Sequence, residues 1–315
     1  MSQASEEGGF ALGRALGFWW QVLRARPIGF VIASVFQAVI TAGASVWMLA
    51  MTAGPSLAYF EALEASGGQV TPEAIGLMGQ QQLTLWAGVV ITLVAFTFSE
   101  AVWLRLFAKG RTRILPTGGD ELRVFFILLI TFGGMFALLL LAAILAAVLG
   151  GIAGATIGAA GGVLIGALIG IAGFVAVIWF GVRATPAAGL SVARGRFAFG
   201  SAFARSARIF WPLLGALFVA LLIYIIGVIA IMALAVFIPG PVGPLIAASL
   251  DLNAAINDPS LQYRLIQEAL DQPGGFLALW FGYAVMALLY SPIMAMWRGI
   301  GVRAALDFDA ENETP

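Results

Sequence analysis

The sequence predicts an all-α polytopic membrane protein: six transmembrane helices paired as three hairpins, both termini cytoplasmic, with amphipathic helices in the interface. Three observations predict it. Of 315 residues, 61% are hydrophobic and only 10% charged, whereas a soluble domain carries about 25% charged residues. Six stretches each supply the roughly 20 apolar residues that carry a helix across a bilayer. The basic residues also fall on alternate connections between those stretches, the pattern left when positive charge stays in the cytoplasm.

The spans read as 28–51, 83–107, 124–149, 158–182, 210–238 and 275–297. The first is too long, and starts too far from the N-terminus, to read as a cleaved signal peptide. The leader carries Arg14, Arg24 and Arg26; the second–third connection Arg105, Lys109, Arg111, Arg113 and Arg123; the fourth–fifth Arg183, Arg194, Arg196, Arg205 and Arg208; the tail Arg298 and Arg303. Only Arg264 lies on the other side, among Glu61, Glu64, Glu73, Asp251, Asp258, Glu268 and Asp271. The chain reads as one membrane domain, 1–315: leader 1–27, hairpins 28–107, 124–182 and 210–297, an interfacial helix 192–208 and a tail 298–315. Arginine far outnumbers lysine, and with the abundant Ala and Gly this suggests a bacterial chain of the inner membrane.

The first and third hairpins look alike. One contains Pro55-Ser56-Leu57-Ala58-Tyr59 and then Glu61-Ala62-Leu63; the other has Pro259-Ser260-Leu261-Gln262-Tyr263 and then Glu268-Ala269-Leu270. Each reads as a short helix opened by Pro and closed by Gly-Gly, at Gly67-Gly68 and Gly274-Gly275. An amphipathic stretch precedes each of these hairpins. In 9–26, Leu12, Leu16, Trp19 and Leu23 share a face away from Arg14; in 192–208, Phe199 and Phe203 share one, with Arg196, Arg205 and Arg208 adding charge. Such helices lie in the membrane surface, aromatic side inward, so Arg14, Arg24, Arg26, Arg196, Arg205 and Arg208 are the candidate contacts to lipid headgroups. Packing against the ends of the bundle is the structural alternative.

The middle hairpin carries Gly150, Gly154, Gly158, Gly162, Gly166 and Gly170, one every four residues. Small residues at that spacing let a second backbone come close. The chain turns within 150–162, and the ladder packs on another span of the same chain, packs on a second copy, or lines a pore.

Chemistry is scarce. There is no Cys and no His, which removes thiol chemistry, the commonest general base and the commonest metal ligands. No phosphate loop, dinucleotide fingerprint or HExxH motif is present, and zero net charge gives no reason to expect nucleic-acid binding. No catalytic residue, metal site or cofactor is expected. The best intramembrane charge is Glu100, near the cytoplasmic end of the second span, at the depth of Arg183 and Arg298. An ion pair is its structural reading; a carboxylate for a proton or substrate is its functional one. The remaining polar groups inside the spans are Ser34, Gln37, Thr41, Thr92, Thr131, Tyr224, Tyr283 and Tyr290. Thr117-Gly118-Gly119-Asp120-Glu121 reads as a turn and helix start, Pro212 as a helix-start residue, Pro292 as a kink, and 307–315 as a disordered acidic tail.

Arg183 followed by Pro186-Ala187-Ala188, then Arg205 to Phe210-Trp211-Pro212 opening the fifth span, resembles the bacterial six-span proteins akin to the membrane domain of glycerophosphodiester phosphodiesterases. In that group a separate soluble domain carries the catalytic His and acidic ligands. The resemblance therefore implies an inner-membrane protein and transfers no catalytic residue. The leading expectation is a non-enzymatic scaffold or lipid-associated partner, whose partners are membrane lipid, another membrane protein or itself. The alternative is a transporter or channel for a small or lipidic solute, with a cavity between the similar hairpins.

Overall fold

The computed structural model describes residues 10–115, 118–238, 240–251 and 258–310. Among them there are eleven helices and no strand: α1 (Leu12–Ala25), α2 (Pro27–Ala65), α3 (Pro72–Lys109), α4 (Gly119–Ile157), α5 (Ala159–Ala184), α6 (Ala187–Arg194), α7 (Phe199–Ser206), α8 (Phe210–Ala235), α9 (Val242–Leu250), α10 (Leu261–Asp271) and α11 (Gly275–Ala310). Six stretches are long and apolar enough to cross a membrane: α2, α3, α4, α5 running on to Arg194, α8 and α11. The chain thus has the make-up of a multi-pass membrane protein.

The helices outrun the apolar stretches. Helix α2 starts with Pro27 at its first position, where a missing N–H costs nothing, and passes through Pro55 to Ala65. It ends at glycines in the left-handed region, Gly67 (φ 65°) and Gly68 (φ 83°), where the Gly68 N–H reaches back to the Leu63 carbonyl at 2.8 Å. The Pro55 motif is therefore no separate helix, whereas its look-alike forms α10. Helix α11 likewise continues through Pro292 to Ala310. The expected disordered tail is helical as far as it is described; 311–315 lie outside the described residues, as does Thr117. Burial of Ala304, Ala305 and Phe308 and ion pairs at Asp307 and Asp309 hold that end.

The chain divides into two compact units. The first takes in Met1–Ala25, Leu104–Ala220 and Met296–Pro315. Fourteen of the sixteen basic residues fall there, all but Arg26 and Arg264. Its core joins Ala15 of α1, Val182 of α5, Leu213, Ala216 and Leu217 of α8, and Met296 and Ile300 of α11. Helix α1 thus turns Ala15 and Phe18 inward, and Trp19 packs beside them. A second cluster gathers Ile127, Ala187, Leu190, Ala198, Ala202 and Ala305. The expected single helix over 192–208 is broken. Gly195 (φ 63°) closes α6, and α7 begins at Phe199, because a left-handed residue cannot sit inside an α-helix. The Phe199–Phe203 face turns onto α5, where both rings meet Phe180.

The second unit takes in Arg26–Trp103 and Leu221–Ala295. Val46 and Ala53 of α2, Val242 and Leu245 of α9, Ile266 and Ala269 of α10, and Leu279 of α11 form its core. The two look-alike stretches meet there: Phe60 stacks on Tyr263, centroids 5.7 Å apart. Polar contacts stitch the long helices together. Trp103 Nε1 donates to Gln37 Oε1 at 2.7 Å, Ser291 Oγ to Ser34 Oγ at 2.6 Å, and Gln81 Nε2 to Ser56 Oγ at 3.0 Å. Away from water such side-chain bonds between helices contribute about 1 kcal/mol each.

Candidate functional site

Five of the eight polar side chains that the sequence places inside the spans converge on one cavity of the second unit. Gln37 and Thr41 come from α2, Tyr224 from α8, and Tyr283 and Tyr290 from α11; Ser45, one turn beyond Thr41, joins them. Met232, Met286, Met294, Ala42, Ala287, Val242 and Ile246 complete the wall around about 420 Å³. Gln37 and Met286 are buried, whereas Thr41 and Tyr224 reach the outer surface, so the cavity is open on one side. No charged residue lines it. Each polar group can both donate and accept. Among the described residues the hydroxyls of Tyr224, Tyr283 and Tyr290 have no hydrogen-bond partner.

The sequence reading missed the closing wall. Val242 and Ile246 belong to α9, whose signal was the proline pair Pro241 and Pro244 bracketing a helix start. Thr92 and Thr131 are not in the cavity, and Ser34 is spent on Ser291.

The charged candidates go elsewhere. Glu100 is buried in α3, within the second unit, and does not line the cavity. Arg183 and Arg298 belong to the first unit. Arg183 donates from Nε (3.1 Å) and Nη2 (2.6 Å) to the Phe203 carbonyl and lies over the rings of Trp179 and Phe203, 4.9 and 4.1 Å from their centroids. A planar guanidinium suits that site, because it can bond in its plane and stack on its face together. Arg298 is buried in α11.

Asp120 and Glu121 open α4, and both are buried. Each answers cations as well as the helix N-terminus. Glu121 pairs with Arg105 at 2.5 Å, and Asp120 takes Lys109 at 3.0 Å and Arg123 at 2.8 Å. Of the six headgroup candidates, Arg14, Arg24, Arg26, Arg196 and Arg208 are exposed. Arg24 lies over the Trp20 ring, and Arg205 donates to the Phe308 carbonyl.

The glycine ladder splits. Gly158 (φ 93°) is the whole connection between α4 and α5. Gly150, Gly154 and Gly162 bring the two backbones together: a Cβ on Gly162 would lie 2.7 Å from the Gly150 oxygen and 2.9 Å from the Gly154 Cα. A Cβ on Gly166 or Gly170 would have nothing within 4 Å. Only 11% of the most apolar window of α4 and 6% of that of α5 is buried. Their outward faces are thus largely exposed among the described residues.

Among the described residues no group of three or more His, Cys, Asp or Glu could hold a metal ion. Compared with protein-family models, curated proteins and solved structures, the chain matches none.

Proposed function

We propose that this chain is a non-enzymatic, multi-pass protein of the bacterial inner membrane that binds or translocates a small or lipidic solute in the cavity of its second unit. The convergence of Gln37, Thr41, Ser45, Tyr224, Tyr283 and Tyr290 on one uncharged space carries this reading. Polar side chains placed in an apolar solvent cost free energy unless they find partners. Gln37 is already bonded to Trp103, but grouping the hydroxyl side chains around an opening favours a guest that supplies their bonds. Both termini face the cytoplasm, in keeping with the basic residues that flank the spans on that side. A scaffold or lipid-associated role is the second reading, favoured by the nearly unburied faces of α4 and α5.

Mass spectrometry of the protein taken from its membrane with the surrounding lipid, without detergent, separates the two. The solute reading expects a retained small molecule or lipid at near one copy per chain, reduced by Ala287→Phe, which adds a ring to the cavity wall. A stoichiometric protein partner with no retained small molecule would overturn it in favour of the scaffold.

A further inference from the structure

Resting on the cavity's being a solute site, we infer that its guest is an uncharged membrane lipid whose oxygen-bearing head, hydroxyl or carbonyl, sits among Gln37, Thr41, Tyr224, Tyr283 and Tyr290 while its hydrocarbon tail stays in the bilayer. Four observations converge on that class.

The first is depth. Thr41 lies midway along the apolar part of α2, Tyr224 midway along the 26-residue α8, and Tyr283 and Tyr290 flank the middle of the apolar part of α11. The cavity is therefore at mid-membrane on three helices at once. The second is access. Thr41 and Tyr224 are the exposed members of the wall, Tyr224 at 38%, so at that depth the opening faces hydrocarbon, and a guest enters sideways from the lipid. The third is charge. No Asp, Glu, Lys or Arg lines the wall. A phosphate or ammonium head would have no counter-ion there, and an unpaired charge away from water is strongly disfavoured. Hydroxyl and carbonyl groups are matched by three phenols and two alcohols, each able to donate or accept, beside the Gln37 amide that Trp103 holds.

The fourth is size and surface. About 420 Å³ holds a ring or a small head with a few carbons. It cannot hold a whole chain long enough to dwell in a bilayer, so the tail must trail through the opening. Met232, Met286 and Met294 supply a soft wall that adjusts to a flexible or flat guest.

Two sources share this head chemistry: acyl lipids such as a diacylglycerol, and isoprenoid lipids such as a polyprenol. The test uses the full chain in nanodiscs with four photoactivatable probes: diacylglycerol, a polyprenol, phosphatidic acid with the same acyl chains, and a monosaccharide. Crosslinks are mapped by peptide mass spectrometry. One or both neutral lipids should label 37–45, 224–232 or 283–294 at least tenfold above phosphatidic acid, and the stronger names the source. That labelling should fall about tenfold in Tyr224→Phe/Tyr290→Phe, with the melting temperature unchanged. Equal labelling of those peptides by phosphatidic acid overturns the proposal. So does neutral-lipid labelling no denser there than at the outward residues Val163 and Leu164. Labelling by the monosaccharide alone overturns the lipid class but leaves the cavity as a solute site. Labelling of those peptides by none of the four overturns both.

Discussion

Replacing Gly162 with alanine tests the packing of α4 on α5 with a single methyl group. That methyl would sit 2.7 Å from the Gly150 oxygen and 2.9 Å from the Gly154 Cα. Ordinary van der Waals contact starts near 3.4 Å, so the helices must part by roughly 0.7 Å at that level, the kind of shift that overpacking forces. Both obstacles are backbone, so no rotamer change relieves the clash. Overpacking of this type costs about 1–3 kcal/mol. Gly166 and Gly170 stand one and two rungs further along the same ladder, with open space where the methyl would go. There alanine replaces the most flexible residue in a helix interior and should be neutral or stabilising by up to about 1 kcal/mol. The assay is thermal unfolding of the three variants in one detergent, followed by tryptophan fluorescence. The expected order is Gly162→Ala below the parent by several degrees, with Gly166→Ala and Gly170→Ala at or above it. Equal losses at all three positions would refute the reasoning, because a ladder used along its whole length would then be packing against something other than α4. A Gly162→Ala variant as stable as the parent would refute it from the other side.

Glu121→Ala leaves Arg105 buried without its 2.5 Å partner and should lower stability by about 3–5 kcal/mol, read as a loss of folded yield and melting temperature; Arg105→Met/Glu121→Leu should recover much of it. Arg183→Lys keeps the charge but loses the fork onto the Phe203 carbonyl and the stacking on two rings, so α7 should loosen by about 1–2 kcal/mol, seen as faster amide exchange over 199–206. Asp258 is held below the ordinary aspartate value of 3.8, first by the Ser260 hydroxyl and then by the Arg264 guanidinium and nearby N–H groups. Its folded-state value is the lowered one, so its hold on the start of α10 is complete above the ordinary value and fades as pH falls through the folded one. Amide exchange over 261–271 should rise on acidification below about pH 4, and Asp258→Asn should flatten that response.

Much of this architecture is legible in the residues, and the losses are specific. Apolar runs marked all six long helices, because twenty apolar residues in a row have few other fates. Hydropathy reports where the apolar run stops and says nothing of where the helix stops. Helix α2 thus runs past Met51 to Ala65, and α11 past Trp297 to Ala310. Gly195 was visible, but the break it makes between α6 and α7 needed its φ value. The cavity was half legible: Gln37, Thr41, Tyr224, Tyr283 and Tyr290 stand out against their apolar neighbours, and only the fold shows that separate helices aim them at one space. The three methionines of the wall carry no sequence signal at all, since methionine is at home in any apolar span. Glu100 drew attention as an acidic residue inside an apolar span, yet it does not line that space.

The one-residue turn at Gly158 bears on how the protein is made. Helix α4 ends at Ile157 and α5 begins at Ala159, and no residue between Arg123 and Arg183 carries a charge. A nascent chain can therefore pass this pair through the insertion machinery as one folded-back body. Nothing hydrophilic has to be pulled to the far side, and no elementary charge has to move through the electric field. Work against the membrane potential scales with the charge moved, so this step does none. Collapsing the potential during synthesis should therefore leave the arrival of α4 and α5 in the bilayer unchanged.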